Sequence, residues 1–144
     1  MIGGAVYEHV AVVPVWTSAV PASLAMFQGE YAVAAWRFWI PVHPVTMSLL
    51  VAAMLLNWRT ERRGFILVAV LGYAAVLAAT FVFFVPELMA LTQLSFGPVV
   101  DPELTRRAKN WETLSLVRLA VLITLAITLL FGLSRSAVAR SSEI

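Results

Sequence analysis

Cysteine is absent from this chain, and charged residues are scarce. Without cysteine there is no disulfide framework, no thiolate metal site and no cysteine nucleophile. Charged residues make up 12% of the chain and hydrophobic residues 61%, whereas about a quarter of the residues of a soluble domain are charged. This composition predicts an integral membrane protein whose main partner is the lipid bilayer. The length of 144 residues favours a single domain over 1–144.

Motifs of nucleotide and acyl-transfer chemistry are also missing. The chain has no Gly-rich phosphate loop and no nucleophile elbow. Its net charge of +2 is small, and many of its arginines cluster at the ends of apolar segments. That pattern is typical of membrane orientation, so nucleic acid is not an expected partner. A secretory signal is not expected either, because Glu8 and His9 interrupt the N-terminal apolar run.

Four apolar segments are long enough to cross about 30 Å of hydrocarbon at about 1.5 Å per residue. They cover approximately residues 2–27, 38–58, 65–85 and 111–133. Pro14 and Pro21 are expected to kink the first of them. A long outer loop is expected over 87–110. The sequence thus predicts an all-α fold, a four-helix transmembrane bundle, in which Ala74, Ala75, Ala78 and Ala79 allow close helix contacts.

Basic residues set the expected orientation. Arg59, Arg62 and Arg63 fill the short connection between the second and third spans, and Arg135 and Arg140 follow the fourth. Both regions are expected in the cytoplasm by the positive-inside rule. An even number of spans then places the N- and C-termini on the cytoplasmic side. The expected location is the bacterial inner (plasma) membrane.

Arg118 stands out among the polar residues, because a charge inside an apolar span is costly and marks a functional site by default. His43 and Arg118 are expected about one and a half and two helical turns below the outer surface. Glu87 and Glu112 are expected at the same end. We therefore expect these four side chains to meet in one outward-facing pocket. There Arg118 holds an anionic or phenolic substrate, and His43 acts as acid or base.

A structural role is the alternative for each of these residues. Arg118 could reach Glu87 or Glu112 and only lock the bundle. His43 lies between two prolines and could satisfy backbone carbonyls that they leave unpaired. Glu112 lies in the first turn of its predicted helix, where a carboxylate suits the helix dipole.

A metal site is a further, weaker prediction. Two histidines and a nearby carboxylate resemble a two-histidine-one-carboxylate ligand set, which would consist of His9, His43 and Glu8. The chain has neither a His-x-x-x-His nor a Glu-x-x-His pair to strengthen this interpretation. A bound metal is therefore left open as a cofactor and is not required.

Three short motifs, in the first, third and fourth predicted spans, occur together: Gly4 with Val13-Pro14, Pro86 with Leu88 and Leu91, and Trp111 with Ser115-x-x-Arg118. Together they resemble the anthrone oxygenase-like family of small membrane proteins. The resemblance implies a four-helix membrane protein and, for some members, oxidation of anthrones to anthraquinones. Trp111, Pro86 and Arg118 carry over most directly. Glu87 and Ser115 stand where the family tends to have asparagine.

The resemblance implies an integral membrane oxidoreductase that oxidises a lipophilic phenol- or anthrone-like molecule with dioxygen. In that scheme His43 or a carboxylate (Glu87 or Glu112) abstracts a proton, and Arg118 stabilises the resulting oxyanion. The substrate pocket is expected to be lined by Trp111, Trp39 and Ser115. The alternative is a non-enzymatic small membrane subunit or carrier, whose polar residues serve packing or partner docking. A homo-oligomer is compatible with either interpretation.

Overall fold

The computed structural model describes residues 1–135. Every regular element in that part of the chain is helical, which confirms the all-α prediction. In chain order the elements are α1 (Ile2–Ala11), α2 (Val13–Trp16), a 3-10 helix (Ala22–Phe27), α3 (Trp36–Leu56), α4 (Arg63–Ala79), a π-helix (Thr80–Phe84), α5 (Val85–Thr92) and α6 (Pro102–Leu133). The predicted polar tail with Arg140 lies outside the described residues.

Three helices are long and apolar enough to cross a membrane: Trp36–Leu56, Arg63–Thr92 and Pro102–Leu133. They contain the third and fourth predicted spans and most of the second. The connection between the last two is much shorter than the predicted loop over 87–110. Asp101 instead caps α6 by accepting hydrogen bonds from the backbone N–H of Glu103 and Leu104. Pro102 then occupies the first helical position, where its missing N–H costs nothing.

The first predicted span, 2–27, is not one continuous helix in the structure. It is divided into α1, α2 and the 3-10 helix, because Pro14 and Pro21 each interrupt the backbone hydrogen-bond ladder. Met1 lies beside Tyr73 in the middle of α4, and Thr17 lies beside Glu112 near the start of the apolar part of α6. The segment therefore runs from the interior of the bundle to one end, antiparallel to α6.

The two ends of the bundle differ in composition. We call one the basic end: it carries Arg59, Arg62, Arg63 and Arg135, and the Arg62 guanidinium donates to the Arg135 carbonyl at 2.6 and 2.8 Å. We call the other the loop end, formed by residues 17–35 and 87–111. The largest buried apolar cluster lies at the loop end. In that cluster the Trp111 ring packs on Trp16 and Phe84, at centroid distances of 5.5 and 6.2 Å.

Close helix contacts occur at glycines. A Cβ on Gly72 would lie 2.6 Å from Leu125 Cδ2, and one on Gly132 would collide with Phe65, so α4 and α6 approach closely at both positions. The alanines predicted for this role, Ala74, Ala75, Ala78 and Ala79, are exposed on the outer face of α4. The prediction failed because helical spacing identifies a shared face without showing which neighbour that face meets.

Candidate functional site

A π-helix shapes one wall of the candidate site. Pro86 lacks a backbone N–H, and the wider turn of Thr80–Phe84 immediately precedes it. Thr80 and Phe84 are both buried and face α6. The Phe84 carbonyl accepts a hydrogen bond of 3.0 Å from Trp111 Nε1, which fixes the π-helix against α6.

Arg118 lies against this wall and is held by neutral groups. Its guanidinium donates to Ser115 Oγ at 2.9 Å and to Thr80 Oγ1 at 3.2 Å. The guanidinium carbon lies 4.2 Å from the centre of the Phe84 ring, which is a cation–π arrangement. Within residues 1–135 no carboxylate lies within 4.0 Å of Arg118. Glu8 is close enough to interact with it electrostatically at longer range.

A second group of polar side chains connects α1, α3 and α4. Trp39 Nε1 donates to Glu8 Oε1 at 2.9 Å. Trp39 and His43 lie four residues apart on one face of α3, and their rings stack with centroids 5.6 Å apart. The His43 Nδ1 and the Tyr73 hydroxyl lie 2.8 Å apart and share a hydrogen bond. These contacts place the polar groups of three helices side by side.

His9 completes the arrangement. Its Nδ1 is 2.8 Å from the Ala5 carbonyl oxygen, whereas its Nε2 is buried and has no hydrogen-bond partner in the part of the chain that the structure describes. We call the whole set the inner cluster. It consists of Glu8, His9, Trp39, His43, Tyr73, Thr80, Ser115 and Arg118.

The other predicted carboxylates belong to a separate group at the loop end. Arg107 donates to both oxygens of Glu87, at 2.8 and 3.0 Å. Glu112 Oε2 accepts from Lys109 at 2.8 Å and from the Thr17 hydroxyl at 2.6 Å. We call these five residues the loop-end layer. The structure thus divides the four residues predicted to share one pocket: His43 and Arg118 lie in the inner cluster, and Glu87 and Glu112 lie in the loop-end layer.

The three predicted substrate-binding residues are likewise divided. Trp39 and Ser115 belong to the inner cluster. Trp111 is buried in the apolar core of the loop end, where its only polar atom bonds to the Phe84 carbonyl. Its position gives it a packing role and keeps it from lining the site.

The predicted metal set does not assemble. Among residues 1–135, no three His, Cys, Asp or Glu side chains are grouped so that they could hold a metal ion together. His9 and Glu8 are adjacent on α1 and point in different directions. His43 is engaged with Tyr73 on another helix.

A small cavity adjoins the inner cluster on the side of the basic end. Its volume is about 100 Å³, and its lining includes Tyr73, Thr46, Leu122 and Ala126. An engineered apolar cavity of about 150 Å³ binds benzene. The cavity is smaller than that, so it has room for a small apolar molecule and would have to expand to hold an aromatic ring.

Thr80 was missed by reasoning from sequence. It is the only hydroxyl residue between Tyr73 and Glu87, and a lone polar residue in an apolar span is a usable signal. Threonine was overlooked because it can satisfy itself within a helix. Thr80 does so, since its hydroxyl donates to the Val76 carbonyl at 2.7 Å while the same oxygen accepts from Arg118.

Comparison of the chain with family models, with curated proteins and with solved structures gave no match. Its function is therefore argued from the geometry of the inner cluster.

Proposed function

We propose that this protein is an integral membrane oxidoreductase, similar to the anthrone oxygenases, that oxidises a lipophilic phenol- or anthrone-like molecule with dioxygen. One observation carries the proposal: Arg118 lies inside a membrane-spanning helix with three neutral partners and no ion pair among the described residues. A buried cation held in this way can stabilise a negative charge that arrives with a ligand.

The reaction begins with proton transfer from the substrate to a base of the inner cluster, which offers Glu8, His9 and His43. The resulting oxyanion faces Arg118, whose charge lowers the energy of the anion. The electron-rich anion supplies two electrons to dioxygen, a C–O bond forms, and protonation gives a hydroperoxide. Loss of water from the hydroperoxide breaks the O–O and C–H bonds and leaves a new carbonyl. For an anthrone the sum is CH₂ plus O₂ giving C=O plus H₂O. A quinol has no such CH₂ group, so it transfers two electrons and two protons to dioxygen and gives quinone plus H₂O₂. No step requires a metal.

The cavity next to Tyr73 bears on the size of the substrate. With about 100 Å³ of space, it is smaller than a cavity of about 150 Å³ that holds benzene, so a single-ring phenol or quinol head needs only a modest expansion. A three-ring anthrone requires neighbouring side chains to move. The spanning helices expose many aliphatic side chains, so a lipophilic substrate reaches the cluster from the bilayer between helices.

The proposal includes a topology. The N-terminal segment 2–27 acts as a fourth, broken membrane element packed against α6. The basic end faces the cytoplasm of a bacterium whose inner membrane holds the protein, so the C-terminus lies on that side and α1 begins toward it. Because the chain has no cysteine, single cysteines give an unambiguous test. Ser134→Cys should react with a membrane-impermeant maleimide only in inverted vesicles, and Gln93→Cys only in intact cells; the reverse pattern contradicts the orientation.

The function is tested with purified protein in lipid nanodiscs. Anthrone and a single-ring quinol are supplied separately, and oxygen consumption and carbonyl product are measured together. We expect equimolar consumption and product, and a loss of about 100-fold in Arg118→Ala. Arg118→Lys retains the charge but loses the planar fork that reaches both hydroxyls, so it should not restore the rate. Full activity of folded Arg118→Ala contradicts the proposed role.

A second candidate is a non-enzymatic small membrane subunit or carrier. The loop-end layer favours it, because all of its charged side chains are engaged in bonds between structural elements or along one helix. On this interpretation neither substrate supports oxygen consumption, and the Arg118 variants change only stability or partner recovery.

A further inference from the structure

The two ring nitrogens of His9 are in different situations. Nδ1 lies 2.8 Å from the Ala5 carbonyl oxygen, and a carbonyl can only accept, so Nδ1 carries the proton. In the neutral ring Nε2 then holds a lone pair. That atom is buried, and it accepts no hydrogen bond from any described residue. Since buried acceptors are nearly always paired, this lone pair is a place where a donor from outside the chain can be received.

The position of His9 follows from helical spacing. Ala5, His9, Val13 and Trp16 recur every three or four residues and form one face of α1 and α2. The face is packed inward, because Ala5, Val13 and Trp16 are all buried. Trp16 contacts Trp111, and the segment runs antiparallel to α6. His9 lies seven residues before Trp16, and Arg118 lies seven residues after Trp111. Because the two segments are antiparallel, His9 and Arg118 lie at the same depth.

Two carboxylates lie near His9. Glu8 and Glu112 are both close enough to interact with it electrostatically. Arg118 interacts with Glu8 over a similar range. The lone pair of His9 and the cation of Arg118 thus occur at one depth, and this pair of groups suits a ligand that gives up a proton and becomes an anion.

We infer that His9 Nε2 accepts the proton from the hydroxyl of a phenol or enol whose oxygen faces Arg118. The Tyr73 hydroxyl donates to Met1 Sδ at 3.3 Å, so it accepts from the Nδ1 of His43, and both histidines hold their lone pair on Nε2. His9 differs in that its Nε2 is buried and has no partner among the described residues. In the step the substrate O–H bond breaks, the proton moves to Nε2, and the electron pair stays on the substrate oxygen beside Arg118. The bond from Nδ1 to Ala5 persists throughout. The ligand class rests on the proposed function.

Nitrogen NMR tests the inference directly, because the chain contains only two histidines. Protein labelled with [15N]histidine is studied in nanodiscs, and His43→Gln assigns the signals. In the protein without ligand, we expect that Nδ1 of His9 is protonated and that Nε2 is unprotonated. Adding 1-naphthol should shift the Nε2 signal, whereas 1-methoxynaphthalene, which cannot donate, should leave it in place. A protonated Nε2 in free protein, no shift with naphthol, or equal shifts with both compounds overturns the inference.

Turnover separates the role of His9 from that of a packing residue. His9→Gln keeps a hydrogen-bond acceptor but is not a base, so kcat should fall about 100-fold while KM changes less than about threefold. His9→Phe removes both the hydrogen-bond acceptor and the base, so kcat should fall and KM should rise. The thermal transition of each variant is measured alongside. Retention of kcat within twofold in folded His9→Gln overturns the assignment.

The failure of this inference and that of the proposed function are distinguishable. If wild-type protein consumes no oxygen but naphthol still shifts Nε2, the oxidase proposal fails and the binding site at His9 stands. If wild-type protein turns over and His9→Gln does so equally well, the oxidase proposal stands and His9 is not its base.

Discussion

The loop-end layer and the inner cluster both contain acidic and basic side chains, but these are paired with opposite charges only in the loop-end layer. In the loop-end layer Glu87 is bound by Arg107 through two hydrogen bonds, and Glu112 is bound by Lys109 and Thr17. In the inner cluster Arg118 and Glu8 bond only to neutral groups. One buried nitrogen, His9 Nε2, is bonded to nothing within residues 1–135.

Under the proposed function, this difference separates residues that hold the fold from residues that bind the substrate. At the loop end the Glu87–Arg107 ion pair joins α5 to α6. The hydrogen bond from Thr17 to Glu112 joins the N-terminal segment to α6. Charges kept apart at membrane depth contribute little to folding, because desolvation works against them. The proposed function gives them another role, because its chemistry uses a cation, a carboxylate and a free lone pair together.

The largest expected effect on stability is at the loop end. Trp111→Ala removes a buried indole that packs on Trp16 and Phe84, so we expect the free energy of unfolding to fall by about 3–5 kcal/mol. Trp111→Phe keeps most of the contact and loses only the bond to the Phe84 carbonyl, for a loss of about 1 kcal/mol. Reversible unfolding in mixed detergent micelles measures both. Equal losses in the two variants would show that packing is not what Trp111 supplies.

The inner cluster should respond in activity rather than in stability. Glu8→Gln keeps an acceptor for Trp39 Nε1 but removes the charge near Arg118 and His9, so turnover should fall about tenfold, equivalent to about 1.4 kcal/mol. Its free energy of unfolding should stay within about 1 kcal/mol of wild type. The matched control is Glu103→Gln, an exposed carboxylate at the start of α6. A loss of activity in the control equal to that in Glu8→Gln would remove Glu8 from the site.

A double-mutant cycle on Glu87 and Arg107 tests the structural role of the loop-end layer. We expect a coupling free energy of about 1 kcal/mol, because the pair is bidentate but partly exposed. Turnover of Glu87→Gln and Arg107→Gln should match wild type within twofold. A tenfold loss of turnover in either folded variant would join the loop-end layer to the site.

The smallest effect is expected at the cavity beside Tyr73. Ala126→Leu adds atoms to the lining of the cavity, so xenon binding should disappear and turnover should fall about twofold. Ala120→Leu, an exposed position on the same helix, is the control and should change neither. Xenon NMR and oxygen consumption measure the two effects. Undiminished xenon binding in Ala126→Leu would show that the cavity is not the xenon site.

Much of the fold could be predicted from the sequence, because uninterrupted apolar runs specify membrane-spanning helices by length alone. The second, third and fourth spans were found in this way. The N-terminal segment was less predictable, since Pro14 and Pro21 show that the helix is interrupted but not whether it kinks or separates. The α6 helix extends beyond its apolar part to Pro102 because capping by Asp101 supports a polar helical start.

Less of the candidate site could be predicted. Composition identified Arg118, His43 and Glu8 as exceptional, and the structure places all three in the inner cluster. Their partners depend on which helices meet: Glu87 pairs with Arg107, twenty residues away, and His43 pairs with Tyr73, thirty residues away. Hydrophobic periodicity fixes the face of each helix but not the rotation of one helix against another.

The most direct test of the central claim is the free energy of unfolding of Arg118→Met. Methionine preserves the length and the apolar contacts of the side chain while removing its charge. If Arg118 has no structural ion pair, the free energy of unfolding stays within about 1 kcal/mol of wild type. A loss of about 3–5 kcal/mol, the cost of breaking a buried ion pair, would show that Arg118 holds the bundle together and would contradict the account.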